Sequence, residues 1–245
     1  MEYHRTIQGI FLERPNRFIA ICLIDGSRQP CHVKNTGRCR ELLLPGTAVI
    51  LAPSENPNRK TKYSLIAVYK GNMLVNLDSQ APNQLVWEWI QKEHFFPGLS
   101  MLKREVTHGS SRFDLYAEYG TRKAFIEVKG CTLEKNGTAL FPDAPTERGI
   151  KHIMELEACV REGYRAFLFM VIQMRHVRLF CPNEHTHPAF GQALLHASQN
   201  GVQILAYDCD VVRLDSPDHS LRVTLQDPVP ILLPPDTQQN RPVNS

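Results

Sequence analysis

The chain has 245 residues, enough for one large domain or two ordinary ones, and its 42% hydrophobic and 22% charged residues are a globular composition. Its longest apolar run, AFLFMVI at 166–172, is far too short to span a membrane, and the first thirty residues carry charges where a signal peptide needs an apolar stretch. Seven widely spaced cysteines without a CxxC pair support neither a disulfide framework nor a cysteine zinc site, so a soluble cytoplasmic protein with reduced thiols and no membrane partner is expected.

The net charge of +3 is unevenly distributed: residues 1–80 hold eleven Lys/Arg against six Asp/Glu, and residues 81–245 hold seventeen against nineteen. A basic front module either faces a polyanion or carries ordinary solubilising charge. It is rich in strand signals. RTIQGIFLE (5–13), RFIAICLI (17–24), CHVK (31–34), TAVILA (47–52), YSLIAVY (63–69) and MLVNL (73–77) are separated by RPN, DGS, NTG, PG, NPN and GN turn signals. CREL, after NTG, fits a single helical turn. Such a series of short strands with one small helix predicts an OB-like β-barrel over residues 1–80.

The pattern changes after residue 80. Asn83 is placed to cap a helix through QLVWEWIQKEHF, with Leu85, Val86, Trp89 and Ile90 on one side. Strands follow at LKREV (102–106), SRFDLYAEY (111–119) and RKAFIEVK (122–129), then a hairpin turned at Asn136-Gly137, the preferred dipeptide of a type I′ turn. Thr146 caps a helix whose apolar stripe is Ile150, Ile153, Leu156 and Val160. RAFLFMVIQ (165–173) reads as a central buried strand, and a helix from Pro188 and the strand VQILAYD complete an α/β domain over residues 81–215. Residues 216–245 are Pro-rich and polar and read as a poorly ordered tail.

Strand alternation puts Glu127 and Lys129 on one face. A two-residue turn at Gly120-Thr121 pairs 119 with 122 and, followed along the hairpin, brings Asp114 opposite Glu127 with Lys129 beside them. Directly opposed carboxylates repel. A divalent cation relieves that repulsion, and oxygen ligands at about 2.1 Å are what Mg²⁺ prefers. Asp114 and Glu127 are therefore candidate ligands for Mg²⁺ or Mn²⁺. Lys129 is a candidate to orient or deprotonate a water and to stabilise charge on a phosphate. The same three side chains also read as a solvated face in which Arg112 and Lys129 neutralise the acids without metal.

The order helix, three strands, helix, strand, with Asp114, twelve intervening residues and then Glu127-Val128-Lys129, resembles the core of the PD-(D/E)xK nucleases. A more specific resemblance spans about residues 5–210. ERPNRF, NTGRCREL, NRKTKYSL, REVTHGSSRFDLYAE, IEVKGCTL, FPDAPTERGIKH and GVQILAYD together resemble the sugar fermentation stimulation protein A family, SfsA. That resemblance implies an N-terminal OB-like domain and a C-terminal nuclease-like α/β domain with a mixed central sheet. It also implies DNA binding without strong sequence preference and a regulatory link to sugar (maltose) metabolism. Asp114, Glu127 and Lys129 fall on the family's nuclease-like positions, and Glu105 and Glu88 are placed like the additional acids such sites recruit.

Two groups of cations are candidates for nucleic acid. Arg148, Lys151 and His152 lie on the first turns of the Thr146 helix, where free N–H groups favour a phosphate. Arg14, Arg17, Arg38, Arg59, Lys60 and Lys62 lie in loops and strand ends of the barrel, with Phe18 and Tyr63 interleaved, as in OB-type grooves that stack bases. Gln173 is placed at the site rim. The histidines of HTHP (185–188) lack a ligand pattern and read as surface residues. The expected partner is DNA, single- or double-stranded, with a homodimer left open. Phosphodiester hydrolysis by a metal-dependent endo- or exonuclease is the alternative to binding alone.

Overall fold

The first strand signals behave as their alternation requires. In the computed structural model, which describes residues 1–35, 37–54, 56 and 58–236, a short β1 (Glu2–Tyr3) precedes β2 (Ile7–Asn16), β3 (Ile19–Ile24) and β4 (Ser27–Val33). β5 (Ala48–Pro53), β6 (Tyr63–Lys70) and β7 (Met73–Asn76) follow. The order β4-β3-β2-β5-β6 closes into a five-stranded barrel through a parallel pairing of β4 with β6, in which Cys31 meets Tyr63 and Val33 meets Leu65. Inward residues such as Phe11, Cys22, Val49 and Leu65 are almost fully buried, each large one contributing roughly 1.5–3 kcal/mol. The CREL segment makes a single turn, with Leu42 N (3.2 Å) and Leu43 N (2.9 Å) both donating to Cys39 O. Thr36 of the NTG turn and Pro57 of the NPN turn lie outside the described residues.

The second half is built on a seven-stranded mixed sheet. Helix α1 (Ala81–Lys92) leads into β8 (Leu99–His108), β9 (Ser111–Tyr119) and β10 (Arg122–Cys131). A small hairpin, β11 (Glu134–Lys135) and β12 (Thr138–Phe141), turns at Asn136 and Gly137, both with the positive φ of a type I′ turn (52° and 82°). Next come α2 (Glu147–Arg161), β13 (Arg165–Ile172), β14 (Leu179–Pro182), α3 (Pro188–Gln199), β15 (Gln203–Arg213) and β16 (Leu221–Pro228). The sheet order is β1-β16-β15-β13-β10-β9-β8, with β10, β13 and β15 parallel. β13 is central and buried on both faces, as its unbroken apolar run requires. Leu85, Val86 and Ile90 of α1 cover one face of the sheet; Ile153 and Leu156 of α2 and Leu194 of α3 cover the other.

The segment after residue 215 departs from the expected tail. Leu221, Val223 and Leu225 alternate with polar residues, and β16 pairs antiparallel with β15 and with β1. Beyond it, Val229 is buried and Leu232 N bonds Phe180 O at 2.9 Å. The N-terminal strand thus belongs to the second sheet, and of the tail only residues 237–245 lie outside the described residues.

The two halves share a continuous core and a polar seam. Gln173, fully buried, donates to Asn76 Oδ1 (2.8 Å) and to the Asp78 carbonyl (3.0 Å), while Asn76 N bonds Gln173 O (2.9 Å). Gln173 is therefore a tie between barrel and sheet, where the sequence placed a rim residue.

Candidate metal and nucleic-acid site

The hairpin β9–β10 folds in the expected register. Gly120 opens its turn with φ 51°, and the pairing runs from Arg122↔Tyr119 through Phe125↔Tyr116 to Ile126↔Leu115. It stops there, one step before 127 and 114. The Asp114 carboxylate enters the gap: Val128 N donates to Asp114 Oδ2 at 2.8 Å, the ladder bond being made by a side chain. Asn83 Nδ2 on α1 donates to Asp114 Oδ1, also at 2.8 Å. Both carboxylate oxygens are thus oriented. Asn83, read from sequence as a helix cap, lies inside the first turn of α1, whose N-cap is Gln80 without a side-chain bond. Its freed amide is what reaches Asp114.

Glu127 points to the opposite helix. It is buried, with 2% of its side chain exposed, and Oε1 takes both Lys129 Nζ and His152 Nδ1. Arg148 Nε donates to His152 Nε2 at 3.4 Å, which leaves the ring proton on Nδ1 for Glu127. His152 follows Gly149 by three residues and precedes Leu156 by four, so it sits on the buried arc of α2. The sequence placed it among exposed phosphate contacts; its real partner is the carboxylate. Thr146 does cap α2, its Oγ1 accepting from Gly149 N at 3.0 Å.

The two acids titrate in opposite directions. Burial, then the nearby Glu127 charge, pushes the Asp114 carboxyl above its ordinary value. Burial also pushes Glu127 upward, but the His152 hydrogen bond and the Lys129 charge outweigh it and hold that carboxyl below its ordinary value. Among the described residues Glu127 Oε2 is buried without a hydrogen-bond partner. A buried carboxylate oxygen without a donor is costly, and a cation would satisfy it.

Asp114, Glu127, Lys129, Arg148 and His152 line one cleft of about 440 Å³, together with Glu105 and Arg112. Glu105 stands in register between Arg104↔Leu115 and Val106↔Phe113, across from Asp114, with φ 54°. It is exposed and pairs with Arg112 at 3.5 Å. Among the described residues no three His, Cys, Asp or Glu side chains are grouped as ligands. The donor set of two carboxylates, with one oxygen unused, fits a hard cation that keeps several waters, the usual habit of Mg²⁺. Glu88 lies outside this cleft, paired with the Met1 ammonium at 2.8 Å.

Comparison with known proteins gives this geometry a family. A model described as the sugar fermentation stimulation protein RE domain matches residues 80–214, and one described as the SfsA N-terminal OB domain matches residues 12–77. The chain belongs to the SfsA family. Sugar fermentation stimulation protein homologs resemble it at 56% identity over 211 residues in Desulfitobacterium hafniense strain Y51 (86% of this chain, 92% of the relative). The homolog of Alkaliphilus oremlandii is 57% identical over 215 residues, covering 85% of this chain and 92% of the relative. The structure of Pyrococcus furiosus SfsA in complex with Ca²⁺ is similar with a TM-score of 0.80 and 26% identity, covering 93% of this chain and 96% of that one. Among the described residues no helix is long and apolar enough to cross a membrane.

In this SfsA-family chain the barrel cations divide by what they already hold. Arg14 is committed: its guanidinium donates to the carbonyls of Gly37, Arg38, Arg17 and Asn35 at 2.7–2.9 Å, so it braces a loop. The sequence reading of Arg14 as a phosphate contact is corrected accordingly. Arg38 anchors the same loop through its backbone N, which donates to Asp143 Oδ2 (2.9 Å), while its side chain stays exposed. Arg17 is exposed beside Phe18, 5.2 Å from that ring's centroid, and Tyr63 packs against the core. Arg59 is held by the Thr61 and Ser64 hydroxyls (3.2 and 3.1 Å), and Lys60 and Lys62 beside it are exposed. On α2, Arg148 reaches the cleft, whereas Lys151 is exposed and pairs with Glu155 at 3.6 Å.

Proposed function

We propose that this chain binds DNA at the splayed hairpin, through a divalent cation held by Asp114 and Glu127. The observation that carries the reading is the buried Oε2 of Glu127, unpartnered among the described residues, beside a second, oriented carboxylate. Pyrococcus furiosus SfsA was solved in complex with Ca²⁺, which supports a cation in such a protein. Mg²⁺ or Mn²⁺ is the cation the donor set suits best. Exposed Arg112 and Arg148 and the Lys129 ammonium give the cleft the charge to receive a phosphodiester.

The arrangement also supports hydrolysis. A bound divalent cation polarises a phosphate oxygen and lowers the pKa of its water. Asn83 and Val128 N fix the Asp114 carboxylate, His152 and Lys129 fix that of Glu127, and Lys129 adds positive charge where a phosphorane would gather negative charge. A regulatory link to sugar metabolism rests on the relatives' name and would act through DNA binding.

The test is supercoiled plasmid and labelled single-stranded DNA with Mn²⁺, Mg²⁺ or EDTA, using wild type and Glu127→Ala. Metal-dependent retention lost in the variant supports the site, and metal-dependent nicking lost in the variant makes it a nuclease. Metal-independent binding by both proteins would remove the cation from the reading.

A further inference from the structure

The cleft at the hairpin does not end there. Ser79, Asn83, Glu105 and Asp114 also line a larger cavity of about 880 Å³. That cavity shares Glu2, Tyr3 and Lys34 with a third of about 380 Å³, which reaches the barrel loop between β5 and β6. The three openings thus adjoin through shared walls as one trough, and Ser79, Gln80 and Ala81 line its middle part. Each is the size of a small-ligand pocket, not of a duplex groove.

The side chains along the trough are placed for a polynucleotide. At the barrel end Arg59 is held by Thr61 and Ser64, with exposed Arg5 nearby. Burial first, then the Arg59 and Lys34 charges, hold His32 below its ordinary value, against the opposing charge of Asp78. Midway, Arg104 lies 4.6 Å over the Trp87 ring, fixed by Gln84 Oε1 at 2.6 Å, and its outer face is open to a base. Of the acids there, Asp78 takes Lys34 (2.8 Å) and the Tyr3 hydroxyl (3.0 Å), Glu88 takes the Met1 ammonium (2.8 Å), Glu105 takes Arg112 (3.5 Å) and Glu2 lies 3.8 Å from His4.

From the shared walls we infer that the trough is the path of a single-stranded nucleic acid running from the Asp114–Glu127 site to Arg59 on the barrel. This deepens the DNA-binding reading and rests on it. A flexible strand follows a seam between domains, a rigid duplex does not, and the contacts named are to phosphate and base faces without sequence readout.

The experiment is fluorescence anisotropy in Ca²⁺ with labelled oligo-dT and oligo-U of about 4 to about 16 nucleotides, the range one OB fold covers, and with stable duplexes of increasing length. Wild type, Arg59→Glu and Arg104→Ala are compared, with thermal unfolding to establish that each is folded. Single strands should gain affinity with length and duplexes should not. Arg59→Glu should reduce the ratio of long-strand to short-strand affinity about tenfold and lower its salt slope by about one. Arg104→Ala, which removes the stacking face, should lower long-strand affinity about tenfold. The dT and U arms assign the sugar, and retention of either supports the path. If strands bind with no length gain, or Arg59→Glu leaves the ratio unchanged, the trough is wrong while the hairpin site stands. If no oligonucleotide of any length binds, both readings fall.

Discussion

His152 and Glu127 meet across one face of the sheet, Nδ1 on Oε1, and leave the other carboxylate oxygen buried and, among the described residues, unpartnered. His152→Ala would withdraw one of the two groups that satisfy that carboxylate. Leaving a buried acceptor short of a donor costs about 1–3 kcal/mol, or several degrees of melting temperature in a chain of this size. The loss should be full in EDTA and smaller in Ca²⁺ or Mn²⁺, where the cation takes over the carboxylate. Thermal unfolding in both buffers checks it; equal losses would mean that no cation reaches Glu127.

Asp114 gives a pH signature of the opposite sign to a salt-bridged acid. Its folded pKa is raised, by burial and then by Glu127, above the ordinary 3.8. Below 3.8 both folded and unfolded chains are protonated there and nothing changes. Between that value and the raised one the folded chain holds the extra proton, so metal-free stability should fall as pH rises, then level off. Glu127, lowered, contributes the reverse slope below its own ordinary value of 4.5. Urea unfolding across this window in EDTA should therefore show a falling limb that Asp114→Asn flattens. Added Ca²⁺ should turn the limb upward, because the ionised pair then has a partner.

Much of this was legible in sequence, for reasons that differ residue by residue. The hairpin register followed from Gly120-Thr121 and strand alternation, both local rules, and the α2 cap followed from Thr146. What escaped depended on contacts distant in the chain. Asn83 looks like a cap because Asn caps helices, yet its amide is used 31 residues away. His152 looked exposed because it is polar, although its helical position beside Gly149, Ile153 and Leu156 is on the buried arc. The strand at 221–228 was hidden by surrounding prolines, although Leu221, Val223 and Leu225 alternate clearly enough to have been found.

Gly130, directly after the Glu127-Val128-Lys129 run, connects packing to the site. A Cβ there would stand 2.5 Å from Gln173 Oε1 and 2.8 Å from Pro82 Cγ. The rigid ring of Pro82 lies in the first turn of α1, and the next residue is Asn83. Gly130→Ala should thus displace the helix start, loosen the Asn83–Asp114 bond and cost about 1–3 kcal/mol of overpacking. Cation affinity by titration calorimetry should fall together with stability. A variant as stable as wild type, with unchanged affinity, would show that the helix start absorbs a methyl group.

Arg14 carries the last expectation, and it separates charge from geometry. Its guanidinium spans the carbonyls of Asn35, Gly37 and Arg38 and that of Arg17, and the loop so braced sets Arg38 N on Asp143 at 2.9 Å, in the segment that leads into α2. A lysine keeps the charge but supplies no planar fork. Arg14→Lys should therefore lose nearly as much stability as Arg14→Ala, about 2–3 kcal/mol for several charge-assisted bonds. Arg17→Ala, on the exposed turn, should stay within about 0.5 kcal/mol of wild type. Chemical denaturation of the three variants decides between a brace and a phosphate contact. If Arg14→Lys unfolds like wild type, the positive charge was what mattered and Arg14 returns to the nucleic-acid surface.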